Sequence, residues 1–288
     1  MKKALALILV SLMVICSVSA MAEEEPVKLG QVQYAAHGQQ AFAVITAAVQ
    51  GETVLAAWID EYQVMSGEGV VGVPNSDAAF GANIVGSEDG KVLASKRVNN
   101  KFYSGNMAAK GGATQELLVN WQAIEAFVAG KTIYQLEEYV YDKTRAIENS
   151  DAGTVDVISG ATLTDTMGYL KGIIAAANVA ANIQTGHYTI YNKTGEIVTE
   201  LYISYGPEGD NGGNYTDIGY NPDDVVYITR RIPGDADGHH ALTLTYVTES
   251  GRKGEFTTLS IEDVPITLLA PDAMTGATPI SFFAPKAE

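Results

Sequence analysis

Asp156-Val157-Ile158-Ser159-Gly160-Ala161-Thr162 leads into Leu163, Met167, Leu170, Ile174, Ala177 and Ala181, apolar residues that recur at spacings of three and four. That spacing predicts a helix with one apolar stripe against a core. Gly160 predicts a tight turn ahead of it, because glycine takes positive φ without a Cβ clash and lets backbone N–H groups approach a ligand. A helix start presents unpaired donors and a positive dipole end, which favours a phosphate held there. As a purely structural element, the same stretch is a Ser-Gly turn in which Ser159 or Thr162 caps the helix.

Asp156, Ser159, Gly160, Ala161 and Thr162 together resemble the Asp-x-x-Ser/Thr-Gly-Ala-Thr attachment motif of the FMN-binding domain family. That family includes the flavin-carrying subunits of the sodium-translocating NADH:quinone oxidoreductase and of the Rnf complex. The resemblance implies an α+β FMN-binding domain in which a separate flavin transferase, using FAD, joins FMN through its phosphate to the Thr162 hydroxyl. It further implies an electron carrier, supplied by a membrane-bound redox donor and emptied by an electron acceptor; a flavoenzyme that reduces a specific small substrate is an alternative, and the carrier reading leads because the sequence shows no paired catalytic acid and base and no second nucleotide site. A threonine hydroxyl is a weak nucleophile that needs a base or a metal. The sequence sets Asp156 nearby but no matching His or metal cluster, so Asp156 is expected to position metal or hydroxyl within the transferase complex. No catalytic residue and no metal site are expected in the chain itself.

A second copy of the pattern, Asp272-Ala273-Met274-Thr275-Gly276-Ala277-Thr278, makes Thr278 a possible second attachment site. Pro279 follows at once, and the residues left are too few for a comparable helix. The alternative is a tight turn that sends a last strand across a sheet. Gly111-Gly112-Ala113-Thr114 repeats the motif's end without its aspartate.

Lys2 and Lys3 precede an apolar run at 4–18, and Ala20-Met21-Ala22 fits a small-x-small cleavage site, so residues 1–22 are expected to be a secretory signal peptide. The protein is then exported, to the cell envelope or the outside of what is expected to be a bacterium. The sole cysteine, Cys16, lies in that segment, and Ile15 before it departs from a lipobox. The rest of the chain therefore has no thiolate for a disulfide, an iron–sulfur cluster or haem attachment. Removal of Lys2 and Lys3 leaves the chain still more acidic than the net −16 of the whole, which argues against nucleic-acid binding.

Residues 41–49 and 53–59 read as two strands joined at Gln50-Gly51-Glu52, so uniformly apolar that both faces are expected to be covered. A polar, Gly-rich connection runs from 66 to about 90. It holds Gly67-Glu68-Gly69-Val70-Val71-Gly72, a Gly-x-Gly-x-x-Gly match followed by Pro74, not by the helix that a dinucleotide site requires. Lys96, Arg97 and Lys101, with Phe102 and Tyr103, form a basic patch that could meet a phosphate, or else a solvated strand end. Leu117, Trp121, Ile124 and Val128 predict a helix ended by Gly130. Thr132 and Gln135 form a capping box for the next, with Ile133, Leu136 and Val140.

The expected domains are 23–186, the FMN-binding domain closed by the helix after Thr162, and 187–288, an all-β module. In the latter, strands at 188–191, 197–205, 225–229, 242–246, 254–258 and 266–269 predict a sandwich-like pair of antiparallel sheets. Asp235-Ala236-Asp237-Gly238 opens like a calcium loop but lacks the later ligands. His239 and His240 are adjacent, so in a strand they point to opposite faces. A reading of another class remains: a cell-envelope binding module in which the Ser-Gly-Ala-Thr turn is only structural.

Overall fold

A computed structural model describes residues 25–77, 81–148, 158–205, 213–216, 220–234 and 241–285. The expected signal segment, Asp156, and the stretch from Asp235 to His240 lie outside the described residues. The chain divides into two compact units between Ala181 and Asn182. The first mixes helices with a sheet and the second is built of strands, so the α+β class read from the sequence holds at that level.

In the first unit β1 (Val27–Tyr34), β2 (Ala41–Gln50), β3 (Thr53–Met65) and β4 (Val92–Ser95) form an antiparallel sheet in chain order. Burial alternates along β2, with Ala43, Ile45, Ala47 and Val49 inside. The opposite face is not covered as expected: Phe42 and Trp58 are 40% and 54% exposed. Antiparallel hairpins need no crossover helix, so helices are required on one face only. Those are α1 (Asn100–Gly111), α2 (Leu117–Val128), α3 (Ile133–Glu148) and α4 (Thr166–Ala181).

The apolar residues read from the sequence are the ones that pack. Leu117, Trp121, Ile124 and Val128 of α2 join Ile45, Ile59, Leu136, Leu170 and Ile173 in one core. The capping box before α3 forms reciprocally, the Gln135 N–H donating to Thr132 Oγ1 at 3.2 Å and the Thr132 N–H to Gln135 Oε1 at 3.0 Å. Helix α4 ends at Ala181, short of the expected Gly186. Asn182 turns the chain with a φ of 57°, and the next strand opens at Ile183.

The second unit holds two sheets around one core that includes Tyr188, Ile190, Leu201, Ile228, Leu244, Tyr246 and Ile266. One sheet has the order β11 (Ile280–Ser281), β10 (Asp263–Leu269), β5 (Ile183–Lys193), β7 (Val225–Pro233). The other is β6 (Val198–Tyr205), β8 (Leu242–Thr248), β9 (Lys253–Leu259). The expectation of wholly antiparallel sheets fails at one place, where β10 runs parallel to β5. The long excursion between them, through β6 to β9, is the crossover that a parallel pair needs.

The charged interior of the first unit was not anticipated. Lys96, expected on a solvated strand end, is 1% exposed and paired with Glu61, which is 0% exposed; the Tyr169 hydroxyl donates to the same carboxylate at 3.2 Å. The Tyr103 ring lies 4.4 Å from the Lys96 ammonium. Arg97 is also occupied structurally, because β4 is too short to cover the edge of β3. There Arg97 Nε donates to the Ile59 carbonyl at 2.7 Å, Glu125 accepts the Ile59 N–H at 2.8 Å, and the two side chains pair with each other. Burial raises the Glu125 carboxyl above its usual range, against the lowering pull of Ile59 and Arg97. The pair therefore serves to satisfy a strand edge. Lys101 alone of the three cations is exposed.

Breaking one half of a buried pair strands the other charge. Lys96→Met should therefore lower stability by about 3–5 kcal/mol, and adding Glu61→Gln should restore much of the loss by removing the stranded charge while keeping an acceptor for Tyr169. Urea unfolding of the single and double variants checks this, equal stability of the two being the contrary result.

Candidate functional site

Ser159 and Gly160 form the exposed tip of a tight turn whose flanks are buried, Ile158 at 3% and Ala161 at 6% exposure. The Ala161 N–H donates to the Ile158 carbonyl at 3.0 Å, and Gly160 has a φ of 88°, the left-handed conformation that the sequence led one to expect of a glycine there. Gln115 Nε2 donates to the Gly160 carbonyl at 2.7 Å and ties the tip to the segment between α1 and α2.

Thr162 follows the turn and is exposed. Its backbone N–H donates to Asn120 Oδ1 at 2.6 Å, and its hydroxyl lies 3.3 Å from the same oxygen. Asn120 is only 1% exposed, and its own amide donates to the Glu116 carbonyl at 2.9 Å, which fixes its orientation. Thr162 does not stand at the helix start, as the apolar spacing had suggested. Helix α4 begins at Thr166, and the Tyr169 N–H donates to the Asp165 carbonyl in its first turn. Between the Asn120 anchor and the helix the chain makes a turn, the Thr166 N–H donating to the Leu163 carbonyl at 3.1 Å.

Thr162 lines a cavity of about 370 Å³. One wall is Tyr103 and Met107 of α1 with Gly111-Gly112-Ala113-Thr114, and the other is Thr162 to Asp165 with Tyr169 of α4. Gly112 ends α1 in the left-handed conformation, φ 66°, and its N–H reaches the Ala108 carbonyl while that of Ala113 reaches Met107. A Cβ added at Gly111 or Gly112 would meet no atom within 4 Å, so that wall opens on space. The first turn of α2 is held against α1 by side chains: the Leu117 N–H donates to Ser104 at 2.9 Å and the Leu118 N–H to Asn100 at 2.9 Å. His37, on the loop after β1, completes the mouth and pairs through Nδ1 with Asp165.

Among the described residues that line the cavity, only His37 can become a cation. Lys96 packs against the Tyr103 ring and pairs with the carboxylate that holds Tyr169, so this cation of the basic patch stands beneath the wall and not on it. Burial first, then the Glu61 carboxylate, pushes the Tyr169 hydroxyl far above the usual phenol range, so it remains a donor to Glu61.

Sequence reading placed Ser159, Gly160, Ala161 and Thr162 together, as they are found, named Tyr103 as part of the basic patch at 96–103, and missed Asn120, His37, Asp165 and Tyr169. Asn120 was the one with a signal, a polar residue inside the apolar period of α2. The Gly111-to-Thr114 segment, set aside for want of an aspartate, is brought opposite Thr162. Thr278 belongs to the second unit. Its turn pairs Thr275 with Thr278 and puts Gly276, φ 66°, directly after the first of them, whereas Gly160 is two residues after Ile158. That turn, with Asp272 and Thr278 exposed, sends β11 along β10.

No family model matches the chain, and no curated protein matches it. Among solved structures, an NMR structure of a protein from Eubacterium rectale is similar at 18% identity over 36% of this chain and 92% of that one, with a TM-score of 0.23. The fold and site define an α+β protein with an open cavity beside an anchored, exposed threonine.

Asn120→Ala should speed hydrogen exchange of the Thr162 amide about tenfold, the factor that about 1.4 kcal/mol of lost hydrogen bonding carries. The change should be larger there than in α3. Exchange followed residue by residue checks it, and an unaltered Thr162 rate would show that Asn120 is not the anchor.

Proposed function

We propose that this chain is an exported electron-transfer flavoprotein carrying FMN in phosphoester linkage to Thr162. The observation that carries the reading is an exposed threonine hydroxyl, oriented by a buried amide, opening on a cavity with two tyrosine rings. Tyr103, Tyr169, Met107 and Leu117 offer the flat apolar and aromatic walls that a planar ring system requires, and Thr162 offers the ester oxygen. Among the described residues the lining offers a single group able to become a cation, His37, which suits a phosphodiester, bearing one charge and held covalently, better than a free phosphate monoester held by charge alone. Ser159 and Gly160 stand clear of the surface, where a transferase has access to the attachment loop.

Bound FMN would supply the one- and two-electron redox chemistry, and the chain's residues would hold and screen it. On this reading the partners are a flavin transferase, a membrane-bound redox donor and an electron acceptor, and Asp156 takes part in the transfer complex. Thr162 is preferred to Thr278 because Thr162 lines a cavity of its own unit, whereas Thr278 lies on an exposed turn of the second unit.

Intact mass of the protein produced with a flavin transferase tests the proposal. Wild type should gain one FMN less water, Thr162→Ala should lose the gain, and Thr162→Ser should keep it, since only a hydroxyl forms the ester. A gain that persists in Thr162→Ala would move attachment elsewhere, with Thr278→Ala then the deciding variant.

A further inference from the structure

The sequence offered no base for Thr162, yet the fold brings one to its cavity. His37 and Asp165 are 128 positions apart and meet through His37 Nδ1 and Asp165 Oδ2. Thr162, Asp165 and His37 line the same cavity. The loop bearing His37 is set by backbone packing: Ala36 is 8% exposed, and a Cβ on Gly168 would lie 2.5 Å from the Ala36 carbonyl oxygen. His37 is therefore clamped beside the first turn of α4.

We propose that His37, oriented by Asp165, is this chain's own base for the attachment of the flavin phosphate to Thr162. The inference rests on the attachment reading above and gives a role to residues that reading does not use. With Asp165 accepting the Nδ1 proton, the imidazole carries its lone pair on Nε2, the tautomer of a base. Nε2 makes no hydrogen bond among the described residues, and the His37 side chain is 48% exposed, so a proton taken there passes to water. Nucleophile, base and an acid that orients the base is the usual means of activating a hydroxyl.

The other groups facing His37 and the Thr162 hydroxyl do not serve. Asn120 Oδ1 orients the hydroxyl, but an amide oxygen is no proton acceptor at neutral pH. Asp165 is engaged by His37. Tyr169 of α4 donates to Glu61, and the ring of Tyr103, on α1, lies over Lys96. The co-reactant is a flavin dinucleotide. Thr162 Oγ1 forms a bond to the phosphorus on the flavin side, the bridging P–O bond of the pyrophosphate breaks, and a nucleoside monophosphate leaves. The hydroxyl proton goes to His37 Nε2, and no electrons are transferred.

The test is a time course of mass gain by the purified protein with FAD and a saturating flavin transferase. His37→Gln should be slower by about 10²-fold or more and should regain rate with added imidazole; Asp165→Asn should fall between the two. Thermal unfolding should be little changed, because both side chains lie at the surface. Equal rates in His37→Gln and wild type would overturn the proposal, and so would a defect confined to KM for the transferase or one that imidazole leaves untouched. In either of those cases wild type still gains mass at Thr162 and the attachment reading stands. A wild type that gains no mass overturns both.

Discussion

Helix α4 lies so close to β1 that backbone touches backbone. A Cβ at Gly30 would sit 2.0 Å from the Ala176 carbonyl oxygen and 2.6 Å from the Ala180 nitrogen, and one at Gly172 would meet Ile45 at 2.4 Å. Such approach is open only to glycine, and it sets both the depth and the rotation of the helix. Everything at the cavity follows from that seat. Asp165 and Tyr169 stand one turn apart at the helix start, and the chain leaving β1 passes over it at Ala36 and delivers His37. A helix lifted by one methyl group would separate His37 from Asp165 and open the wall formed by Tyr169.

Behind that wall the protein keeps two opposite charges out of water. Burying Glu61 and Lys96 costs solvation that their attraction scarcely offsets, and one carboxylate oxygen, Glu61 Oε1, has no hydrogen-bond partner among the described residues. Their return is geometric. Glu61 holds the Tyr169 hydroxyl and Lys96 underlies the Tyr103 ring, so the pair sets the two aromatic surfaces that face the cavity. Arg97 and Glu125 do comparable work on the exposed edge of β3, where backbone groups without a neighbouring strand would otherwise go unpaired.

The cavity is thus made mostly of neutral groups inside a strongly acidic chain. A freely bound dianion would be poorly held there, whereas a ligand tethered by a covalent bond needs only shape and orientation. This is why an anchored hydroxyl and aromatic walls carry more weight for function than any charge pattern in the sequence. The cluster at 96–101 fits neither a phosphate site nor a solvated strand end at its first two cations, because both are spent on the fold.

The elements with strong local signals were legible in the sequence. The reciprocal cap of Thr132 and Gln135, the apolar period of α2, the Gly160 turn and the alternation of β8 are each decided by residues within a few positions of one another, and each appears where expected. The exposure of one sheet face, the parallel pairing of β10 with β5, the burial of Lys96, and the meeting of Asn120, His37 and Asp165 around Thr162 were decided only by tertiary structure. Those features depend on which distant segments share a boundary, through glycine contacts and single side-chain anchors that leave no period in the chain. Local chemistry determined the turn that presents the threonine; long-range packing determined the cavity that it faces.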